Sequence, residues 1–179
     1  MRHSPAGFIP EHAGGMIPLL HWGEKEKYLL GMMNSNTAML FLSFLSPTLR
    51  FTEGPVGLVP ILYEKKYSSN VSYIVDVCES ISVLDWDSFE TSWDFQRHPL
   101  LQYAAFTPQM VAQEEANGYL TTNGIIDAYR NWEQACNERF NQLKANEQEL
   151  NRIFIDIYGL QDELTPEVED KDVTVRKAD

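Results

Sequence analysis

Between Ile125 and Tyr158 the chain carries neither glycine nor proline, and Gly159 follows at once. A breaker-free run of that length reads as one helix, and glycine is the residue that most readily ends one. A heptad register fits from Gly124 to Ile157. Tyr129, Cys136, Leu143, Leu150 and Ile157 hold one position, and Trp132, Arg139, Asn146 and Ile153 hold its partner. Phe140 and Phe154 widen the apolar stripe by one position. At 1.5 Å per residue, such a helix has about nine turns and is on the order of 50 Å long. Arg139 and Asn146 interrupt the seam, so the sequence predicts packing on another helix along only part of the length. Arg139 reads as a snorkelling or ion-paired side chain near Glu133 and Glu138.

A partner for that helix is found upstream. From Ser69 to Val83, the residues Val71, Ile74, Val75, Cys78 and Ile81 recur at steps of three and four, as on one face of a helix. The alternative partner is an element outside this chain. Earlier still, Tyr28 to Met33 reads as an apolar helix of two turns ending near Asn34. Ser35 or Asn36 can cap a second helix through Ala38 to Leu45, which Pro47 must stop. Ser4 to Leu20 is punctuated by proline and glycine around Phe8-Ile9 and Met16-Ile17, as in small strands of an irregular sheet. Thr48 to Leu62, with Gly54-Pro55, Gly57 and Pro60, reads as an edge-strand region. The expected class is therefore α+β, mainly helical, with short strands followed by a long spacer helix packed on shorter helices. The expected divisions are 1–66, 67–101, 102–160 and an acidic tail from 161 to 179.

Asp85 to Leu101 stands apart, with two Trp and two Phe among four carboxylates, Arg97 and His98. Trp86, Phe89, Trp93 and Phe95 are expected to pack as a structural joint. Asp87 or Ser88 is placed to cap a short helix that His98-Pro99 would end. Trp86 and Trp93 are seven residues apart, hence on one helical face. Base stacking by them is disfavoured because the flanking charge is negative and repels phosphate. His98 lies near Asp85, Asp87, Glu90 and Asp94, but no second histidine completes a common ligand set. No catalytic or metal role is assigned there.

The net charge of −12 is unevenly spread. Residues 1–66 hold six basic and five acidic side chains, whereas 67–179 hold eight and twenty-one. Any nucleic-acid face is thus expected in the first half or on a partner. Cys78 and Cys136 form no C-x-x-C pair, which suits a reduced cytoplasmic setting. No signal peptide is apparent after Met1. The apolar run from Tyr28 to Leu49 is broken by Asn34-Ser35-Asn36, so no membrane span is expected.

Three blocks carry a family resemblance: Asp85 to Leu101, Leu143 to Leu160, and Glu163 to Asp170. They closely resemble the PglX family, the large adenine-specific DNA methyltransferases of BREX phage-defence systems. Tyr28-Leu29-Leu30-Gly31 with Asn34-Ser35, then Ser46-Pro47-Thr48-Leu49, resembles the closing part of their target-recognition region. The resemblance spans nearly the whole chain. It departs at Gly54-Pro55-Val56, where Gly-Asp-Ile is expected.

The resemblance implies a parent that uses S-adenosylmethionine and an Asn/Asp-Pro-Pro-Tyr/Phe motif gripping a flipped adenine. This sequence has no Pro-Pro pair, and its one double glycine, Gly14-Gly15, precedes Met-Ile-Pro. The expectation is a target-recognition and spacer segment, a fragment or a separately encoded part, with no cofactor of its own and no methyl transfer alone. Its expected partners are double-stranded DNA, bound weakly, and the catalytic domain or other defence components. Lys65 and Lys66 beside Tyr63 and Tyr67 are the leading DNA contacts, two cations next to two rings. Arg50, Arg2 and His3 are weaker candidates, and a solvated loop also accounts for the lysines. A second class of function remains open, an interaction module whose joint and long helix dock another defence component.

Overall fold

The computed structural model describes residues 23–46, 51–103 and 122–177. The expected strands of Ser4 to Leu20 lie outside these residues, as do Gly14-Gly15, Pro47 and Arg50. After a 3-10 turn at Gly23–Lys25 come α1 (Glu26–Met33), α2 (Asn36–Leu45), α3 (Glu53–Gly57), α4 (Lys65–Trp86), α5 (Leu100–Tyr103) and α6 (Thr122–Tyr158). A second 3-10 turn spans Asp170–Asp172. The two helices read from periodicity are present and longer than expected: 22 residues for α4 and 37 for α6.

The described residues contain no β-strand, which corrects the expected α+β class to a helical one. The stretch taken for an edge strand shows why. Pro55 sits in the first turn of α3, where its missing N–H would have had no intrahelical partner, so Gly54-Pro55 opens a helix. Pro60 to Glu64 forms neither helix nor strand, and two tyrosines take the place of a neighbouring strand. The Tyr158 hydroxyl donates to the Pro60 carbonyl at 2.6 Å and accepts from the Leu62 N–H at 2.9 Å. The Tyr28 hydroxyl donates to the Leu62 carbonyl at 2.9 Å and accepts from the Glu64 N–H at 3.3 Å. The polar groups of one edge are thereby satisfied without a sheet.

The chain divides into two units. The first comprises Met1–Cys78 and Ala145–Val168, and the second Glu79–Lys144 and Glu169–Asp179. In the first unit, Tyr28 and Met32 of α1 are fully buried with Ala38 and Leu42 of α2, Val71, Ile74 and Val75 of α4, and Leu150, Ile153 and Phe154 of α6. Each large apolar side chain so buried contributes about 1.5–3 kcal/mol. Eight residues are too few for a helix to persist alone in water, so α1 is held by this burial. Gly31 permits its close approach: a Cβ there would lie 3.0 Å from Val75 Cγ2 and 3.2 Å from Val71 Cγ1.

Ser35 serves two helices, as the sequence suggested for one. Its hydroxyl donates to the Met32 carbonyl at 2.7 Å, closing α1, and accepts from the Ala38 N–H at 3.4 Å, opening α2. Asn151 of α6, also buried, accepts from the Asn36 N–H at 2.8 Å and donates to the Pro166 carbonyl at 3.2 Å. At Gly159, φ is +66°. The Gly159 N–H bonds the Asp156 carbonyl and the Leu160 N–H bonds the Ile155 carbonyl, the paired closure that a left-handed glycine permits.

In the second unit the buried apolar side chains are Ile81, Ala128, Cys136, Phe140, Leu143, Val173 and Val175. Asp170 accepts from Lys144 at 2.6 Å and Lys177 at 2.9 Å, and Lys177 Nζ lies 4.3 Å from the Phe140 ring centre. The short helix expected after Asp87 is absent: residues 87–99 form turns and bends. The intended caps are engaged elsewhere. Ser88 Oγ donates back to the Leu84 carbonyl, and Asp87 accepts from the Ser92 hydroxyl at 2.6 Å.

Candidate nucleic-acid interface

Lys65 and Lys66 are placed in the first turn of α4, not in a loop, and both are exposed. That turn carries no acidic side chain, so the partial positive charge of the helix N-terminus adds to the two ammonium groups. Lys66 Nζ stands 4.6 Å from the centre of the Tyr67 ring. Tyr63 is 37% exposed and packs edge-on against Tyr28, with ring centres 5.0 Å apart. Burial raises the Tyr28 hydroxyl above its ordinary pKa of 10.0, so it stays protonated as a donor beneath the patch.

The sequence missed Lys25. In Glu24-Lys25-Glu26-Lys27 it reads as one of several alternating charges, yet its Nζ lies 4.4 Å from the centre of the Tyr63 ring. Only the edge-on stacking of Tyr63 against Tyr28 brings it there, and no local signal carries that. Lys27, by contrast, is engaged in an ion pair with Asp76. In the first unit, then, Lys25 lies over Tyr63 and Lys66 over Tyr67, with Lys65 beside Lys66 in the first turn of α4. Ammonium groups above exposed rings suit phosphate contact with adjacent stacking or van der Waals contact to sugar and base. Arg50 lies outside the described residues.

The aromatic joint is arranged otherwise than expected. Trp93 is fully exposed, and Trp86 and Phe89 are 54% and 40% exposed, so these rings are not enclosed by the described residues. Phe95 is half-buried. His98 lies against Trp132 with ring centres 6.0 Å apart. Among the described residues no group of three or more His, Cys, Asp or Glu side chains is arranged to hold a metal ion, and no helix is long and apolar enough to cross a membrane.

No family model matches the chain. It is 41% identical over 177 residues to the adenine-specific methyltransferase PglX of Lacticaseibacillus casei (strain Zhang), a match covering 99% of this chain and 14% of that protein. It is 26% identical over 166 residues to the adenine-specific methyltransferase BrxX of Escherichia coli O9:H4 (strain HS), covering 92% of this chain and 12% of that one. Similarity at this level along almost all of its length means that the chain belongs to the PglX family of adenine-specific methyltransferases.

Proposed function

We infer that this chain is the DNA target-recognition and spacer segment of a BREX-type adenine-specific DNA methyltransferase. It holds the duplex while the catalytic chemistry is done outside these residues. The carrying observation is a pair of lysine–ring contacts, Lys25 over Tyr63 and Lys66 over Tyr67, with Lys65 next to Lys66 in the same helical turn, in a chain of net charge −12. S-adenosylmethionine is then the cofactor of the whole enzyme.

The test is a duplex titration of the chain at several salt concentrations. Each phosphate contact adds about −0.9 to the slope of log affinity against log salt, so three lysine contacts give a slope near −3. Replacing Lys25, Lys65 and Lys66 by glutamine should flatten that slope toward zero. A slope unaltered in the triple variant would remove these residues from the interface.

One observation favours a second reading, in which the chain docks another defence component: the full exposure of Trp93, with Trp86 and Phe89 half-exposed beside it in sequence. On that reading, Trp93→Ser abolishes assembly with the purified component and leaves duplex affinity unaltered. On the first reading it changes neither.

A further inference from the structure

The second unit contains fourteen acidic and seven basic residues, yet three of its cations, Arg139, Arg176 and Lys177, line a single cleft of about 210 Å³. The rings of Phe89, Phe95, His98 and Trp132 also wall it, and the carboxyls of Asp85 and Glu90 are part of its lining. These rings are not sealed off: Phe89 is 40% exposed, and Phe95 and Trp132 are half-buried.

Arg139 reads from sequence as snorkelling or ion-paired, and no ion pair to Glu133 or Glu138 is present among the described residues. Among the described residues its one hydrogen bond runs to Cys136 Sγ at 3.1 Å, and thioether or thiol sulphur is a weak acceptor. A half-buried guanidinium whose side-chain hydrogen bond runs to sulphur keeps most of its donors, though its charge also acts on Asp85. Arg176 rests over the Phe89 ring at 5.6 Å. Burial pushes the Asp85 carboxyl upward, while the Arg176 backbone N–H and the charges of Arg139 and Arg176 draw it back, which makes it a retained acceptor among cations.

Each part of this lining matches one chemical feature. Exposed rings accept the face of a planar base. A carboxylate accepts hydrogen bonds from an exocyclic amino group. A guanidinium fork pairs with two oxygens of a phosphate. We propose that the cleft binds a nucleoside monophosphate whose base carries an amino group, with the base on the rings, the amino group on Asp85 and the phosphate on Arg139. The volume is below the roughly 300–1,000 Å³ of sites for drug-sized ligands, so it suits one base with sugar and phosphate at the rim. The acidity of the unit around it repels a long polyanion, while within the cleft three cations stand against the two carboxylates Asp85 and Glu90, an excess of one positive charge for a single phosphate. The site is separate from the lysine patch, and either can fail without the other.

The experiment titrates the 179-residue chain with dAMP, followed by calorimetry and by tryptophan fluorescence, which Trp132 should report. Saturable binding of dAMP is expected, with dIMP and deoxyadenosine each weaker by about tenfold, because each lacks one of the matched features, and inorganic phosphate, which lacks two, weaker still. Arg139→Gln should weaken dAMP by about tenfold at an unaltered melting temperature. Asp85→Asn should narrow or reverse the preference for dAMP over dIMP. Binding of dAMP no tighter than phosphate would overturn the proposal, as would a folded Arg139→Gln variant with undiminished affinity. A single-stranded oligonucleotide that competes with dAMP and binds more tightly would overturn it too, in favour of a strand. If Arg139→Gln fails to fold, the dAMP to dIMP ratio of the parent chain and of Asp85→Asn decides.

Discussion

Ser35 shows how much one side chain can hold. Its hydroxyl closes α1 at the Met32 carbonyl and opens α2 at the Ala38 N–H, and the residue is 1% exposed. Ser35→Ala removes a helix cap worth about 1 kcal/mol, while the Met32 carbonyl keeps the backbone N–H of residue 35 as its partner, so a loss of about 1 kcal/mol is expected in a urea titration. A midpoint shift no larger than that of an exposed control such as Ser43→Ala would contradict this. The cap itself was readable, because a serine between two apolar helical runs has few other uses. Its second bond was not, since a helix C-terminus offers no residue-type signal for an acceptor three positions back. Tyr28 is harder still to read. In Tyr-Leu-Leu-Gly-Met-Met it looks like a core ring, and so it is, but its hydroxyl works 34 residues further along at the Leu62 carbonyl.

At the scale of elements, α4 and α6 were legible because apolar residues repeat at three and four over many turns, and Gly159 marks the end of α6. The non-helical stretches were not. Gly-Pro pairs and short apolar beats look alike whether they begin a helix, as Gly54-Pro55 does, or border a strand. The segment after Asp87 was misread because a serine and an aspartate that could cap a helix can equally bond back to the turn before or across a bend. Packing between elements makes Gly31 the sharpest test. Alanine normally stabilises a helix interior over glycine by about 1 kcal/mol. Here its Cβ would press on the stiff branched side chains of Val71 and Val75 at 3.2 and 3.0 Å. Overpacking of that kind costs about 1–3 kcal/mol, so Gly31→Ala should be neutral to destabilising. A clear gain in denaturation midpoint would mean that α1 can back away from α4.

Across the whole molecule, the response to pH has two limbs with different owners. Burial raises the hydroxyls of Tyr28 and Tyr158 above 10.0, so folding favours their protonated forms. That contribution is complete below pH 10 and is lost as pH rises through the raised values. Asp170 behaves in the opposite sense: hydrogen bonds from Lys144 and Lys177 hold it at about 2, below its ordinary 3.8. Its contribution is present above pH 3.8 and fades as pH falls toward 2, and being fully exposed it should be small and further reduced by salt. Melting temperatures across the pH range should therefore show an alkaline limb that Tyr158→Phe makes shallower. An alkaline limb identical in that variant would mean that other groups control it. The two tyrosines also set terms for divergence. They read only main-chain atoms of Pro60, Leu62 and Glu64, and a carbonyl is the same whatever side chain accompanies it. An alignment of many relatives should accordingly show positions 60, 62 and 64 drifting freely, while positions 28 and 158 keep tyrosine together or lose it together.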